Sequence, residues 1–508
     1  LQPTPRIFIT GFGLATPLGH NAWETFAALL AGRTIADRCA ELPGDIGPVD
    51  LVRAIGSVSF AQHSSCDPAV ELAERAGREA LMMAGVSDDE VPAIPCIVAT
   101  SKGAVHALTA AANQYQPVGA SHARPLAPTP AGIPPLRLRD AHLVVILGPH
   151  GYLTHHLRQR LNLGDTTHLV AACASSLMAL HRARLRLLHQ APPRQAPRRI
   201  LILTADAALL PSFIHAYQRL GVLAPLTREG YRGRPLDRAA AGFMIAQAGA
   251  AIVLERIDDP DFVPPRHAVE VIDSAEACEA HDLIRTDPAM PALRRVARQL
   301  LTGRAIDLVH PHATGTAGQT PHDDCELKAI AGADFTSGGG DSGSGTSERG
   351  LTQPTVNEAS SLGQPNSGRR GAVESPSPIP RHCEASGYGS VELPRNTPPL
   401  HGLSTGLGEG FKRAEQIPSA IVHPNSTTDL YAHKGALGHT LGASGLISTI
   451  LACLCARTGR RPPMPWLANP IAAGLAPAVP QRPIRLQAIF ASGFGGHTAG
   501  VVLRSRGE

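Results

Sequence analysis

Cys173 is the residue around which this chain's chemistry can be arranged. It stands in the run Ala171-Ala172-Cys173-Ala174-Ser175-Ser176-Leu177. A thiolate is nucleophilic near neutral pH and is also a good leaving group, which suits nucleophilic catalysis. The apolar stretch His168–Val170 before it reads as a short buried strand. The stretch Leu177–Leu188 after it, leucines with arginines between them, reads as a helix. That junction predicts free helix N–H groups and the positive end of a helix dipole beside the sulfur, which favours thiolate over thiol. Four further motifs carry groups that can join it. His310-Pro311-His312-Ala313-Thr314-Gly315-Thr316 follows a strand at Asp307–Val309. His322-Asp323-Asp324-Cys325-Glu326 opens a helix, with acids near its positive end. Lys434-Gly435-Ala436-Leu437-Gly438-His439 precedes an apolar helix, and Ser492-Gly493-Phe494-Gly495-Gly496-His497 separates two strands. Two imidazoles can donate to a developing negative charge without adding a strong base. A metal is not expected, because no acid or cysteine completes a ligand set with His310 and His312 at sensible spacing. Each residue alone has an ordinary explanation: a buried core thiol, a turn histidine, a solvated lysine, a core phenylalanine. The functional reading rests on their occurring together.

The elements that must hold these groups follow from the pattern of apolar runs. Strands are expected at Arg6–Thr10, Cys96–Thr100, Ile200–Leu203, Ala250–Leu254, Val269–Ile272, Ile306–Val309, Arg485–Phe490 and Ala499–Leu503, with helices at Pro68–Ala84 and Pro291–Leu301. Strands alternating with helices argue an α/β class with covered central sheets. Gly11-Phe12-Gly13 and Pro17-Leu18-Gly19 read as turns, and Asn21 with Glu24 as a capping box. Gly11-x-Gly13 lacks the third glycine and the downstream acid of a dinucleotide site. The net charge of +4 does not suggest nucleic acid. Nine cysteines without metal or disulfide spacing read as reduced thiols of a cytoplasmic protein. The first residues do not read as a signal peptide. Leu441–Ala456 is apolar but short and mixed, and fits a buried helix rather than a membrane span. Gln116–Pro135 is proline-rich and reads as a surface loop, and Ala191–Pro197 as a linker. From about 334 to 416 Gly, Ser, Pro, Thr and Asn dominate, which reads as a disordered insertion or as a sequencing or gene-model artefact. No internal sequence repeat is visible.

In order along the chain, Cys173-Ala-Ser-Ser, His312-x-Thr-Gly-Thr, Lys434 through Gly438-His439, and Gly493-Phe494-Gly495-Gly496 resemble the β-ketoacyl-[acyl-carrier-protein] synthases of the elongating type. The opening Thr10–Gly19 and the middle stretch Arg234-Pro235-Leu236-Asp237 with Gly242-Phe243 resemble that family too. The resemblance implies a thiolase-like α/β fold, two similar βαβαβαββ halves forming a layered α-β-α-β-α core. The first half would be residues 1–256, carrying Cys173. The second would be 257–508, carrying His312, Lys434 and His439 and interrupted by the insertion. It implies a 3-oxoacyl-[acyl-carrier-protein] synthase, an acyltransferase running decarboxylative Claisen condensations in fatty-acid or specialised lipid or polyketide synthesis. Cys173 would carry the acyl chain, while His312 and His439 bind the extender thioester carbonyl and support decarboxylation. Lys434 would pair with Glu326, with Asp323, Thr314 and Thr316 in support. Phe494 would be the gate of the acyl pocket, its backbone N–H forming an oxyanion hole with that of Cys173. No cofactor is implied. The implied partners are acyl carrier protein bearing acyl- and malonyl-phosphopantetheine and a second copy of the chain, or another synthase subunit in its place, with no membrane insertion. Ala240 stands where the family has Arg, Ala246-Gln247-Ala248-Gly249 where it has Gly-Glu-Gly-Ala, and His322 where it has Asn. The competing readings are a non-catalytic synthase-like partner subunit, which would normally lack the cysteine, and a thiolase-fold acyltransferase that makes no carbon–carbon bond.

Overall fold

A computed structural model describes residues 5–35, 67–114, 137–189, 197–224, 233–259, 261–316, 322–332, 428–472, 475–477 and 482–505. The expected insertion at 334–416, the proline-rich stretch 116–135 and most of the 191–197 linker lie outside the described residues. The chain first forms β1 (Arg6–Ala15), α1 (Ala22–Leu30), α2 (Pro68–Met83), β2 (Cys96–Ala99), α3 (Val105–Gln114) and α4 (Leu138–Leu161). Next come β3 (Thr166–Leu169), α5 (Ser175–His189), β4 (Arg199–Asp206), α6 (Pro211–Arg219) and β5 (Ala248–Ile257). Then follow β6 (Val269–Cys278), α7 (Pro291–Leu301), β7 (Leu308–His310), α8 (His322–Ala331) and β8 (Asp429–Leu430). The last are α9 (Lys434–Leu437), α10 (Ser444–Thr458), β9 (Leu486–Gly493) and β10 (His497–Arg504).

The strand order is β3-β2-β4-β5-β1-β6-β10-β9-β7-β8. Counted outward from the β1–β6 seam, each five-stranded half has the same order: its first strand, then its fifth, fourth, second and third. In each half the fifth strand runs antiparallel to the first and the fourth, while the second is parallel to the third and the fourth. The chain therefore repeats one topology although its sequence shows no repeat. The seam is narrow, two antiparallel pairs, Phe8 with Glu270 and Ile9 with Val269.

Strand periodicity divides the core into layers. In β4, Ile200 and Ile202 face one apolar cluster, while Leu201, Leu203 and Ala205 face another. In β5, Ala250, Ile252 and Leu254 face the first cluster, and Ala251 and Val253 the second. Helices α5 and α10 occupy the first cluster and touch strands of both halves. Helices α2 and α4 cover the other face of the first half, and α7 that of the second. The result is the expected α-β-α-β-α layering. Burial on both faces explains why the strands read as continuous apolar runs.

Most expected elements form, with informative exceptions. Gly11 and Gly13 do not turn the chain but lie inside β1. A Cβ on Gly11 would come 2.1 Å from the Ala80 carbonyl oxygen, and one on Gly13 2.2 Å from that of Ala76, so these glycines let α2 lie against the strand. The strand before Cys173 is an edge strand whose middle residues, Thr167 and His168, are exposed, rather than a buried one. The basic residues of α5 make contacts with the neighbouring sheet. Arg184 donates to the Ile272 carbonyl at 2.9 Å, and His181 contacts the Ser274 hydroxyl at 2.9 Å, so this face docks on β6. Helix α4, with Pro149 inside it and Gly148 at φ 67°, went unrecognised because those residues interrupt its pattern. The Asn21 cap is as expected, its side chain accepting from the Glu24 N–H at 2.8 Å. The run Leu441–Thr458 is apolar enough to cross a membrane by length and composition, but 83% of it is buried inside the protein.

Candidate active site

Cys173 sits between β3 and the first turn of α5, 9% exposed. The turn that presents it is strained, with Ala172 at φ 47°, a left-handed conformation that costs an alanine about 1 kcal/mol or more. Ser175 holds this turn together. Its hydroxyl accepts from the Ala171 N–H at 2.8 Å and lies 2.6 Å from the Ala172 carbonyl oxygen. From the other half, Gly493 at the end of β9 packs on the same turn. A Cβ there would meet the Ala171 carbonyl oxygen and the Cys173 nitrogen, each at 2.9 Å, so only glycine permits the approach. Phe494 follows and joins an apolar cluster around Cys173 that includes Leu210, Ile214, Tyr217, Phe243 and Leu441. This environment opposes the expected thiolate. Burial pushes the Cys173 thiol up to about 11, against the opposing charge of Lys434, so the resting sulfur carries its proton.

His312, His439 and Lys434 arrive from the second half and are all buried. The two imidazole rings stand nearly perpendicular with centroids 5.5 Å apart, and the edge of Phe243 meets His439 at 4.8 Å. His439 is fixed through its backbone, its N–H donating to the Met244 carbonyl at 2.6 Å and its carbonyl accepting from Ala246 at 3.0 Å. Its Nδ1 lies 3.0 Å from the Ser444 hydroxyl at the start of α10. Burial first, and Lys434 next, hold both imidazoles well below the ordinary histidine range, so both are neutral. The Nε2 atoms of both rings have no hydrogen-bond partner among the described residues. His310, two residues before His312, is not part of this group. It is fully buried and its Nε2 lies 3.2 Å from the Gln487 side-chain oxygen.

Lys434 and Glu326 do not form the direct ion pair expected. The two carboxylate oxygens of Glu326 accept the backbone N–H groups of His312 at 2.5 Å and Ala313 at 2.7 Å. The Lys434 ammonium donates to the His312 carbonyl oxygen and lies 3.5 Å from His312 Nδ1. The lysine and the glutamate therefore clamp one turn from opposite sides, a turn in which Ala313 has φ 33°. Burial lowers Lys434 to about 8, with Glu326 the main opposing influence, and burial raises Glu326. Next to the ammonium, His312 Nδ1 must accept, which leaves the ring proton on Nε2. Asp323 secures the same loop, accepting from Gly315 at 3.0 Å and from Leu236 at 2.8 Å, and the Thr314 and Thr316 hydroxyls lie 2.8 Å apart on it. Donor atoms of His322, Asp323 and Glu326 lie within 4.8 Å of one another, but both carboxylates are already engaged by these N–H groups, which leaves a poor metal site.

Asp206 is a site residue that sequence reasoning missed. It is fully buried at the end of β4 and accepts from Thr100 Oγ1 (2.9 Å) and from the N–H groups of Ser101 (3.0 Å), Lys102 (2.8 Å) and Gly442 (2.8 Å). It thereby ties the loop after β2 to the turn between His439 and α10. An acid closing an otherwise apolar strand was the available signal. Asp237 lies three residues before Ala240, which stands where the resemblance expects Arg. It accepts from the N–H groups of Ala239, Ala468 and Asn469, at 2.8, 2.7 and 2.7 Å.

A family model for the β-ketoacyl synthase N-terminal domain matches residues 4–259. A curated 3-oxoacyl-[acyl-carrier-protein] synthase 2 of Coxiella burnetii is 22% identical over 338 residues, 64% of this chain and 76% of that protein. A 6-methylsalicylic acid synthase of Arthrobotrys oligospora is 28% identical over 183 residues, 35% of this chain but 10% of that much longer protein. Among solved structures, AntDE:AntF, a type II PKS acyl-carrier protein in complex with its ketosynthase, superposes with a TM-score of 0.65 at 14% identity, covering 99% of this chain and 100% of that one. The ishigamide ketosynthase/chain length factor gives 0.64 at 17% identity, again over 99% and 100%. These structures share the thiolase-like architecture described above, and the matched model covers half of the sequence; this chain belongs to the β-ketoacyl synthase family.

Proposed function

We propose that the chain is a condensing 3-oxoacyl-[acyl-carrier-protein] synthase of the Cys-His-His type. The observation that carries this reading is the pair of buried, neutral imidazoles, His312 and His439, with unpartnered Nε2 atoms, in the same interior as Cys173. In the proposed reaction the Cys173 sulfur attacks an acyl thioester carbonyl. A new S–C bond forms, the carrier thiol leaves, and the cysteine proton goes to it. A malonyl thioester then loses CO₂, and the electron pair of the broken C–C bond becomes an enolate. Nε2–H donors on His312 and His439 stabilise the enolate oxygen. The enolate carbon attacks the Cys173 thioester, whose oxyanion meets the N–H groups of Cys173 and Phe494. The sulfur leaves and regains a proton, and the product is a 3-oxoacyl thioester two carbons longer. Lys434, Glu326, Asp323, Thr314 and Thr316 hold the His312 turn, and Phe494 closes the acyl pocket.

The AntDE:AntF complex supports a phosphopantetheine carrier protein as the donor, and the fold supports a second synthase-type chain as partner. Likeness to the ishigamide ketosynthase/chain length factor also favours a second reading, a non-catalytic subunit that sets chain length. Against it stands Cys173 with its complete surroundings. Incubation with acyl- and malonyl-carrier protein followed by mass analysis separates the two. The catalytic reading requires a two-carbon-longer 3-oxoacyl product that Cys173→Ala abolishes. Product that survives in that variant, or none from the wild type, defeats it.

A further inference from the structure

The proposed mechanism leaves one cation near Cys173 unused. Ser101-Lys102-Gly103 is a rigid turn after β2: Asp206 accepts the amides of Ser101 and Lys102, and the Gly103 amide donates to Thr100 Oγ1 at 2.9 Å. From this turn the partly buried Lys102 side chain reaches α6, its ammonium 5.8 Å from the ring centroids of both Phe213 and Tyr217. Tyr217 belongs to the apolar cluster that contains Cys173, and Phe213 packs against that cluster. The charge also reaches the reaction centre: burial raises the Cys173 thiol, and Lys102, after Lys434, opposes it; burial raises Tyr217, with Cys173 adding to it. Among the described residues no carboxylate pairs with the Lys102 ammonium, which faces the two rings, and Tyr217 beside it is 5% exposed.

An unpaired ammonium against an apolar wall is costly, and two aromatic faces offset only part of that cost. An alkyl chain laid against it would remove its remaining water and supply nothing in return. A chain that places an oxygen there would satisfy both the ammonium and the hydroxyl. We infer that Lys102 and Tyr217 select acyl chains that carry an oxygen acceptor, a carboxylate or a ketone, beyond the thioester. This rests on the reading of Cys173 as the acyl acceptor.

The test is a competition. Full-length protein is offered an equimolar mixture of octanoyl, keto-octanoyl and suberoyl thioesters of pantetheine, and the Cys173 adducts are resolved by intact mass. Oxygen-bearing adducts should exceed octanoyl by about tenfold, the scale of one charge-assisted hydrogen bond. Lys102→Met should bring the ratio close to one, with Tyr217→Phe giving a smaller fall. A lead for suberoyl identifies the charge as the feature read, and a lead for keto-octanoyl identifies the neutral oxygen. An octanoyl adduct equal to or above the others in the wild type overturns the inference without reference to any variant. So does a ratio unchanged by both substitutions. Adducts without discrimination remove this inference alone, whereas no Cys173 adduct from any donor removes the acyl-acceptor reading and the inference with it.

Discussion

Replacing His312 or His439 with alanine should separate the two halves of the proposed reaction. Both imidazoles are buried and neutral, and Lys434 beside His312 Nδ1 leaves the proton on Nε2. His312 therefore offers one preorganised donor, His439 is proposed to offer a second with its Nδ1 accepting from the Ser444 hydroxyl, and both have little basicity. Negative charge on the extender appears only when CO₂ departs, so the donors matter at that step. Removing one such donor costs about 2.7–4 kcal/mol, roughly a hundred- to a thousandfold in rate. Acylation depends on a different quantity. With its thiol pushed up to about 11, Cys173 is almost wholly protonated at pH 7, so acylation should climb about tenfold per pH unit in wild type and both variants alike. Weakly basic imidazoles add little to that step, and their loss should slow it by less than about tenfold. The assay is paired: single-turnover adduct formation by intact mass, and product formation with malonyl-carrier protein. Equal loss of both steps in His312→Ala and His439→Ala would show that the histidines activate the cysteine, and the enolate role would have to be withdrawn.

Glu326→Gln leaves one of the two buried N–H groups of the His312 turn facing an amide and removes the negative charge near Lys434. It should cost about 2–4 kcal/mol, read as a lower urea midpoint, and an unchanged midpoint would contradict the clamp. Burial raises Asp206 to about 6, so the folded state binds its proton more tightly than the unfolded chain does. The stability this contributes is fully present below about 3.8 and is lost as pH rises through about 6. Asp206→Asn should therefore flatten the pH dependence of stability in that window, and an identical profile would argue against it. Ala172→Gly relieves a left-handed alanine worth about 1–2 kcal/mol against an entropic cost of about 0.5–1 kcal/mol. The urea midpoint should rise slightly, and a marked fall would mean that the turn is held by something other than its backbone. Gly493→Ala places a methyl 2.9 Å from the Cys173 nitrogen, so acylation should drop more than about tenfold while far-UV circular dichroism is unchanged.

The α/β class and most strands were legible because strands buried on both faces leave uninterrupted apolar runs, as Ile200–Leu203 and Ala250–Leu254 do. The repeated topology was not, since two halves can keep one strand order while sharing no recognisable residues. Local glycines misled: Gly11 and Gly13 mark where α2 touches β1, a contact with residues far along the chain. At the site, Cys173, His312, Lys434 and His439 were legible because each sits in a short motif at an element's end. Asp206, Phe243 and Ser444 were not, because each reaches the site from a segment whose own pattern is ordinary. The charges of Lys434 and Glu326 were visible, but not that the carboxylate is committed to two backbone amides. The burial that opposes the sulfur's ionisation was hidden for the same reason. A helix N-terminus can be read from sequence, while the apolar cluster that outweighs it is assembled by α6, Phe243 and Leu441.

The most direct test of the condensing role is a chase of the isolated acyl-protein. Chain acylated at Cys173, freed of excess donor, is mixed with malonyl-carrier protein, and adduct, CO₂ and carrier-bound products are followed together. Loss of the adduct at the rate at which a two-carbon-longer 3-oxoacyl-carrier protein and an equal amount of CO₂ appear is the predicted result. Release of the acyl group as free acid, or an adduct that persists while malonyl-carrier protein stays intact, would contradict it.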